Sequence, residues 1–168
     1  PQNEDVSFGK GNTKRDQVVL LKQGAAARAT VPVNSSDDAA WKKINFDDSG
    51  WKSGRTGVGY DYGNRIGLDV AGMRNNNETV YIRIPFVVGD LSIIDELALH
   101  LQYEDGFAAF INGKKVASDN APTTLNWKSG APQNRPDSTA TSPVEFSIPN
   151  AGGVLVEGND EGLLLDDI

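Results

Sequence analysis

From Gln17 onward, short apolar runs alternate with turn-forming residues. The runs lie at residues 18–21, 29–33, 80–88, 97–103, 107–111, 114–117 and 144–148. Runs this short, closed by Gly, Pro, Asn and Asp, predict strands, and no long helical pattern competes with them. In Val80-Tyr81-Ile82-Arg83-Ile84-Pro85-Phe86 the side chains alternate: Val80, Ile82, Ile84 and Phe86 share one face, while Tyr81, Arg83 and Pro85 share the other. In Leu97-Ala98-Leu99-His100-Leu101-Gln102-Tyr103 the leucines and Tyr103 point one way, opposite His100 and Gln102. Such strands bury one face and leave the other able to meet water. Asn112-Gly113 is the strongest hairpin signal, because both turn positions tolerate positive φ. Together with the turn at Glu104-Asp105-Gly106, it makes residues 97–117 a predicted three-stranded meander.

Two stretches break the pattern. Residues 37–77 are mostly irregular, with Trp41, Phe46, Trp51, Tyr60 and Tyr62 set among Gly, Asp, Ser and Asn, and residues 119–142 carry Trp127 among several prolines. Long loops inside a compact domain are usually functional or covered surface. Residues 1–16 are polar and without apolar periodicity, so they read as a linker or flexible arm, with residues 17–168 as a single domain.

Composition narrows the functional classes. With 168 residues, 38% of them hydrophobic, one core can stabilise the chain without staples. There is no cysteine and only one histidine, His100, which excludes thiol chemistry and Cys- or His-built zinc sites. A net charge of −7 and a pI near 4.6 argue against nucleic acid or a membrane surface as partner. No apolar stretch is long enough to span a bilayer, and the first residues lack the features of a signal peptide, so the chain reads as a piece of a longer precursor.

Three motifs, taken in order, then resemble a known family. Trp41-Lys42-Lys43-Ile44-Asn45-Phe46-Asp47-Asp48-Ser49-Gly50-Trp51, followed by Gly57-Val58-Gly59-Tyr60, resembles the opening of galactose-binding-like jelly-roll modules. Tyr81-Ile82-Arg83-Ile84-Pro85-Phe86 is similar to their YxRxxF strand, and the segment from Tyr103 through Asn112-Gly113 to Val116 is similar to their closing hairpin. The C-terminal segment departs from the family pattern, so three outcomes stay open for the last strand: that it runs over residues 162–168, is truncated, or is altered. The resemblance implies an all-β antiparallel β-sandwich of jelly-roll type. It further implies a non-catalytic carbohydrate-binding module of a larger secreted or cell-surface bacterial protein, with a structural calcium ion. Its partners would be a polysaccharide or terminal sugar and the neighbouring domains. Fold likeness does not settle function. A structural or protein-interaction module bracing a neighbouring domain stays open, as does a small polysaccharide lyase or hydrolase.

The residues themselves offer a candidate ligand site. Sugar recognition needs a flat apolar surface for the C–H face of a pyranose and planar polar groups for paired hydrogen bonds to its hydroxyls. Tyr60, Asp61, Tyr62 and Arg65 supply both within one glycine-rich loop. Tyr60 is equally a candidate core residue. Arg83 either reaches a ligand or neutralises a neighbouring carboxylate. Tyr103 and Glu104 border the same site if both loops lie at one end of the sandwich. Trp127 is a stacking residue or a loop anchor. Trp41, Phe46 and Trp51 read as a minicore, and Asp47-Asp48-Ser49 as a turn whose carboxylates cap backbone N–H groups. No nucleophile elbow, phosphate loop or HExxH appears.

Overall fold

The computed structural model describes residues 18–158 and 160–168, so the expected arm at 1–16 lies outside the described residues. The strands are β1 (Ala26–Thr30), β2 (Lys52–Arg55), β3 (Val58–Gly59), β4 (Leu68–Asp69), β5 (Val80–Val87), β6 (Leu97–Leu101), β7 (Phe107–Ile111), β8 (Lys114–Asp119), β9 (Val144–Ile148) and β10 (Asp160–Asp167). One short α-helix, Asp137–Ala140, stands among the described residues, beside several single 3-10 turns. Antiparallel pairing orders the main sheet β2-β1-β5-β10-β7-β8, and β6 pairs with β9 in a two-stranded sheet that faces it. β3 and β4 form a short parallel pair. The chain is thus an all-β sandwich, as its alternating runs predict. Among the described residues, no helix is long and apolar enough to cross a membrane.

Alternation builds the core. Val80, Ile82 and Ile84 of β5, Ala27 and Ala29 of β1, Leu163 and Leu165 of β10 and Phe107, Ala109 and Ile111 of β7 meet Leu97, Leu99 and Ile148 of the smaller sheet. Asn112 and Gly113 both take positive φ, 51° and 79°, and Ile111 faces Lys114 across the two-residue turn. This is the conformation that twists a hairpin in the favoured sense.

Several sequence expectations are corrected. Residues 18–21 form no strand; Leu20 and Leu21 pack on the core from irregular chain. The strand expected at 29–33 is β1, placed earlier because its pairing with β2 and β5 runs from Ala26 to Thr30. Residues 97–117 are not a meander: β6 pairs with β9, while β7 pairs with β8 and β10. Residues 102–106 carry the chain from one sheet to the other, and that crossing buries both leucine-rich faces against each other. Of the outcomes left open for the last strand, the one at residues 162–168 is the nearest: β10 starts two residues earlier and pairs along the full length of β5.

The second face of the main sheet is not wet. Residues 34–51 fold over it as a flap and bury Tyr81, Arg83, Leu164, Ala108 and Phe110. Trp41, fully buried at 0% exposure, stacks on Tyr81 at 4.5 Å and meets Phe110 edge-on at 6.0 Å. Phe46 and Trp51 pack at its margin, so the expected minicore is present. Arg83 Nε donates to Asp48 Oδ2 at 2.9 Å, and its other nitrogens donate to the carbonyls of Trp41, Lys43 and Ile44. A buried guanidinium is tolerated only when paired and hydrogen-bonded, and here the flap backbone supplies the acceptors. Asp47 caps the turn through the Ser49 N–H at 3.0 Å.

Asp166 is the anomaly of this face. It is 1% exposed, and its Oδ1 has no hydrogen-bond partner among the described residues. Burial pushes its pKa up to about 7, helped by Asp167 and Asp38 and opposed by Lys42. Lys42, whose pKa burial lowers, lies over the Trp41 and Phe110 rings.

Two measurements check the roles of the flap and of Asp166. Trp41→Ala should cost about 3–5 kcal/mol in urea unfolding, as truncation of a packed aromatic does; a cost under about 1 kcal/mol would mean that the flap does not stabilise the sheet. For the carboxyl, the pH dependence is the readout. An unfolded aspartate ionises near 4, whereas Asp166 in the fold holds its proton to about 7. Its contribution to stability is therefore fully present below about pH 4 and is lost as pH rises through about 7. Unfolding between those limits should show a decline, shared with Asp167, that Asp166→Asn makes shallower, and an unchanged slope in that variant would refute the assignment.

Candidate functional site

The site lies where β3 and β4, the β6–β7 connection and the end of β10 come together. Between β3 and β4 the chain makes the excursion that carries Tyr60 to Arg65, and its neck is closed by backbone on backbone. Gly67 N–H donates to the Gly57 carbonyl at 2.8 Å, and a Cβ on Gly57, at φ 87°, would meet the Arg65 carbonyl at 2.2 Å. Only glycine fits there. Gly57 of the GxGY signal at Gly57-Val58-Gly59-Tyr60 is therefore a requirement of the neck. On the other side, Gly106 and Ile168 exchange both backbone hydrogen bonds, at 2.8 and 3.0 Å. That exchange ties Gln102-Tyr103-Glu104-Asp105 to the end of β10.

These segments enclose a cavity of about 690 Å³. Tyr60, Tyr62, Arg65, Tyr103 and Glu104 all line it, so five of the residues singled out in the sequence do meet at one end of the sandwich. Arg74, Gln102, Asn75 to Asn77, Lys128 and Asp167 line it as well.

Individual geometries divide the lining by task. Tyr60 is half-buried beneath the Arg74 guanidinium at 4.9 Å, and Arg74 is paired with Asp61, which itself lies at the rim with φ 66°. Tyr62 is half-buried, with a hydroxyl shielded from water that completes no regular hydrogen bond. Burial and the neighbouring Glu104 carboxylate push its pKa up to about 12. Arg65 is exposed and has no ion-pair partner among the described residues. Tyr103 borders the cavity as a wall: only 6% exposed, its ring packs on Phe107 at 4.7 Å and under Arg135 at 4.1 Å, and its hydroxyl bonds Asp119. Burial, then that bond, raises its pKa. Glu104 is exposed at the mouth.

Three candidates lie outside the lining: Asp61, held by Arg74, and Arg83 and Trp127, which stand apart. Arg83 is on the flap side of the main sheet, beside a second cavity of about 380 Å³, with its donors committed to Asp48 and the flap carbonyls. Trp127 is half-buried just outside the lining, under the Lys128 ammonium at 4.7 Å, with its carbonyl accepting from Asn77 Nδ2 at 2.8 Å. Its neighbour Lys128, not Trp127, faces the cavity.

The titratable lining residue that the sequence did not single out is Asp167. Burial first, then Glu104 and Asp105, pushes its pKa up to about 7. Its signal was the Asp166-Asp167 pair closing an otherwise apolar strand, where alternation must send one carboxylate to each face. Among the described residues, no three His, Asp or Glu side chains are placed to hold a metal ion, so the expected calcium gains no carboxylate cage here.

No family model matches the chain, and no curated protein matches it. Among solved structures it is similar to a β-glucuronidase from an uncultured Clostridium species. That match has a TM-score of 0.54 and 16% identity, covering 97% of this chain and 24% of that one. A β-glucuronidase from glycoside hydrolase family 2 matches more weakly, at TM-score 0.48 and 12% identity over 98% of this chain and 14% of the other. The chain therefore spans only about a quarter of the length of the first of these enzymes, and what it shares with that part is the β-sandwich fold.

Proposed function

We propose that this chain is a non-catalytic carbohydrate-binding module that serves a larger secreted protein, and that its ligand enters the 690 Å³ cavity at the end of the sandwich. The observation that carries this reading is the convergence of Tyr60, Tyr62, Arg65 and Glu104 on that one cavity. A sugar ring lays its C–H face against the Tyr62 ring, while its hydroxyls bond to Glu104, Arg65 and Gln102. No bond is made or broken. The likeness to part of a β-glucuronidase is in keeping with a domain that accompanies chemistry on sugars, and the catalytic alternative has no observation of its own. Arg83 and Asp61 are already committed to Asp48 and Arg74, and they have no contact role in the proposed complex.

Binding to a glycan array followed by titration tests the proposal. Affinity for a single site of this kind falls between about millimolar and micromolar, or roughly 4 to 8 kcal/mol. Tyr62→Ala and Arg65→Ala should each weaken binding by about tenfold or more, whereas Ile44→Ala on the flap should leave it unchanged. Equal retention of both cavity variants would defeat the reading, and release of reducing ends by the isolated chain would replace it with the catalytic one.

A further inference from the structure

The cavity is not electrically even. Glu104, Asp105 and Asp167 enter it from two segments clamped together by the Gly106–Ile168 hydrogen bonds. Asp105 accepts from the Arg135 N–H at 2.7 Å, but among the described residues none of the three carboxylates forms an ion pair with Lys or Arg. No hydrogen bond to the Asp167 carboxyl stands among the described residues, and the Tyr62 hydroxyl, shielded from water, has the Glu104 carboxylate as its polar neighbour without completing a regular hydrogen bond. The cations of the lining come from other segments: Arg74 is held by Asp61, Lys128 lies over the Trp127 ring, and Arg65, without an ion-pair partner among the described residues, stands on the β3–β4 excursion and not on the segments that carry the carboxylates. The carboxylates are not arranged to grip a metal ion. They border a space large enough for a sugar, and within it acceptors go unmet.

Resting on the sugar-binding reading above, we propose that the cavity discriminates sugars by charge: it takes an amino sugar, its ammonium turned to the Glu104–Asp167 wall, in preference to an acetylated or a uronic one. Three physical reasons support this. An ammonium brings donors and no acceptors, which is what unpaired carboxyls lack. Its positive charge offsets what holds Asp167 towards its protonated form, burial first and then repulsion from Glu104 and Asp105. A uronate in the same place adds a further negative charge to a wall already short of cations, and an acetamide replaces the charge with a bulkier neutral group.

The test titrates the whole chain near neutral pH with three trimers built on pyranose rings: glucosamine, N-acetylglucosamine and galacturonate. Calorimetry gives the affinities, and amide shifts at Tyr62, Gly106 and Ile168 report the place. The glucosamine trimer should bind at least about tenfold more tightly than either of the others. Glu104→Gln and Asp167→Asn should each reduce that preference to about twofold or less. Glu104 is exposed, so its variant stays folded and keeps the test open even if Asp167→Asn unfolds. An acetylated or uronic trimer that binds the cavity as well as the amino one would overturn the charge preference and leave the sugar-binding reading standing. Survival of glucosamine's advantage in both variants would do the same. If none of the three, nor any array sugar, moves the cavity amides, the sugar-binding reading itself falls.

Discussion

A strand that is apolar on both faces has to be covered on both, and β10 is such a strand. Leu163 and Leu165 face the sandwich core, and Leu164 faces the opposite way; all are buried. Because β10 sits between β5 and β7, neither face can be left to solvent without exposing the centre of the sheet. The smaller sheet covers one side and the flap of residues 34–51 covers the other. The remaining features answer to that demand. Arg83 is buried because it anchors the flap's carbonyls, and Trp41 is buried because it fills the space over Tyr81.

How far could this be seen beforehand? β5, β7 and β9 were legible almost to the residue, since period-two alternation and a strong Asn-Gly turn are local signals. Pairing was less so. Nothing local distinguishes a meander through residues 97–117 from a crossing between sheets; the choice is made by which leucine face finds a partner, and that partner, Phe146 with Ile148, lies far along the chain. The short strands β2, β3 and β4 were invisible for a different reason. Their residues are mostly polar or glycine, and they are held by backbone contacts around Gly54, Gly57 and Gly67 more than by side-chain burial.

The cavity divides in the same way. Tyr60, Tyr62 and Arg65 were readable because they share one loop, and Glu104 because it precedes a turn glycine. Arg83 looked like a ligand group only while its face of β5 was taken to be wet. Once Trp41 covers that face, a charge there needs fixed partners, and Asp48 with the flap backbone provides them. Trp127 illustrates the reverse limit: an aromatic in an irregular segment can anchor a loop through its carbonyl, as it does to Asn77, and no spacing rule reports which way its ring will lie.

Asp166 and Asp167 show what the alternation of a strand does to identical chemistry. The two are adjacent in sequence, and burial pushes both pKa values up to about 7, yet they lie on opposite faces of β10. Asp166 is sealed under the flap beside Lys42, where its charge can only be tolerated or suppressed. Asp167 follows the core-facing register of Leu163 and Leu165 to the point where the core gives out, and there it borders the cavity. A carboxyl held near neutrality by burial is a cost to folding in the first position. In the second, the same cost is recoverable, because a ligand that arrives with a positive charge or hydrogen-bond donors supplies what the fold withholds. The strand that forces the sandwich to close on both sides thereby also determines which of its polar ends stays open to a partner.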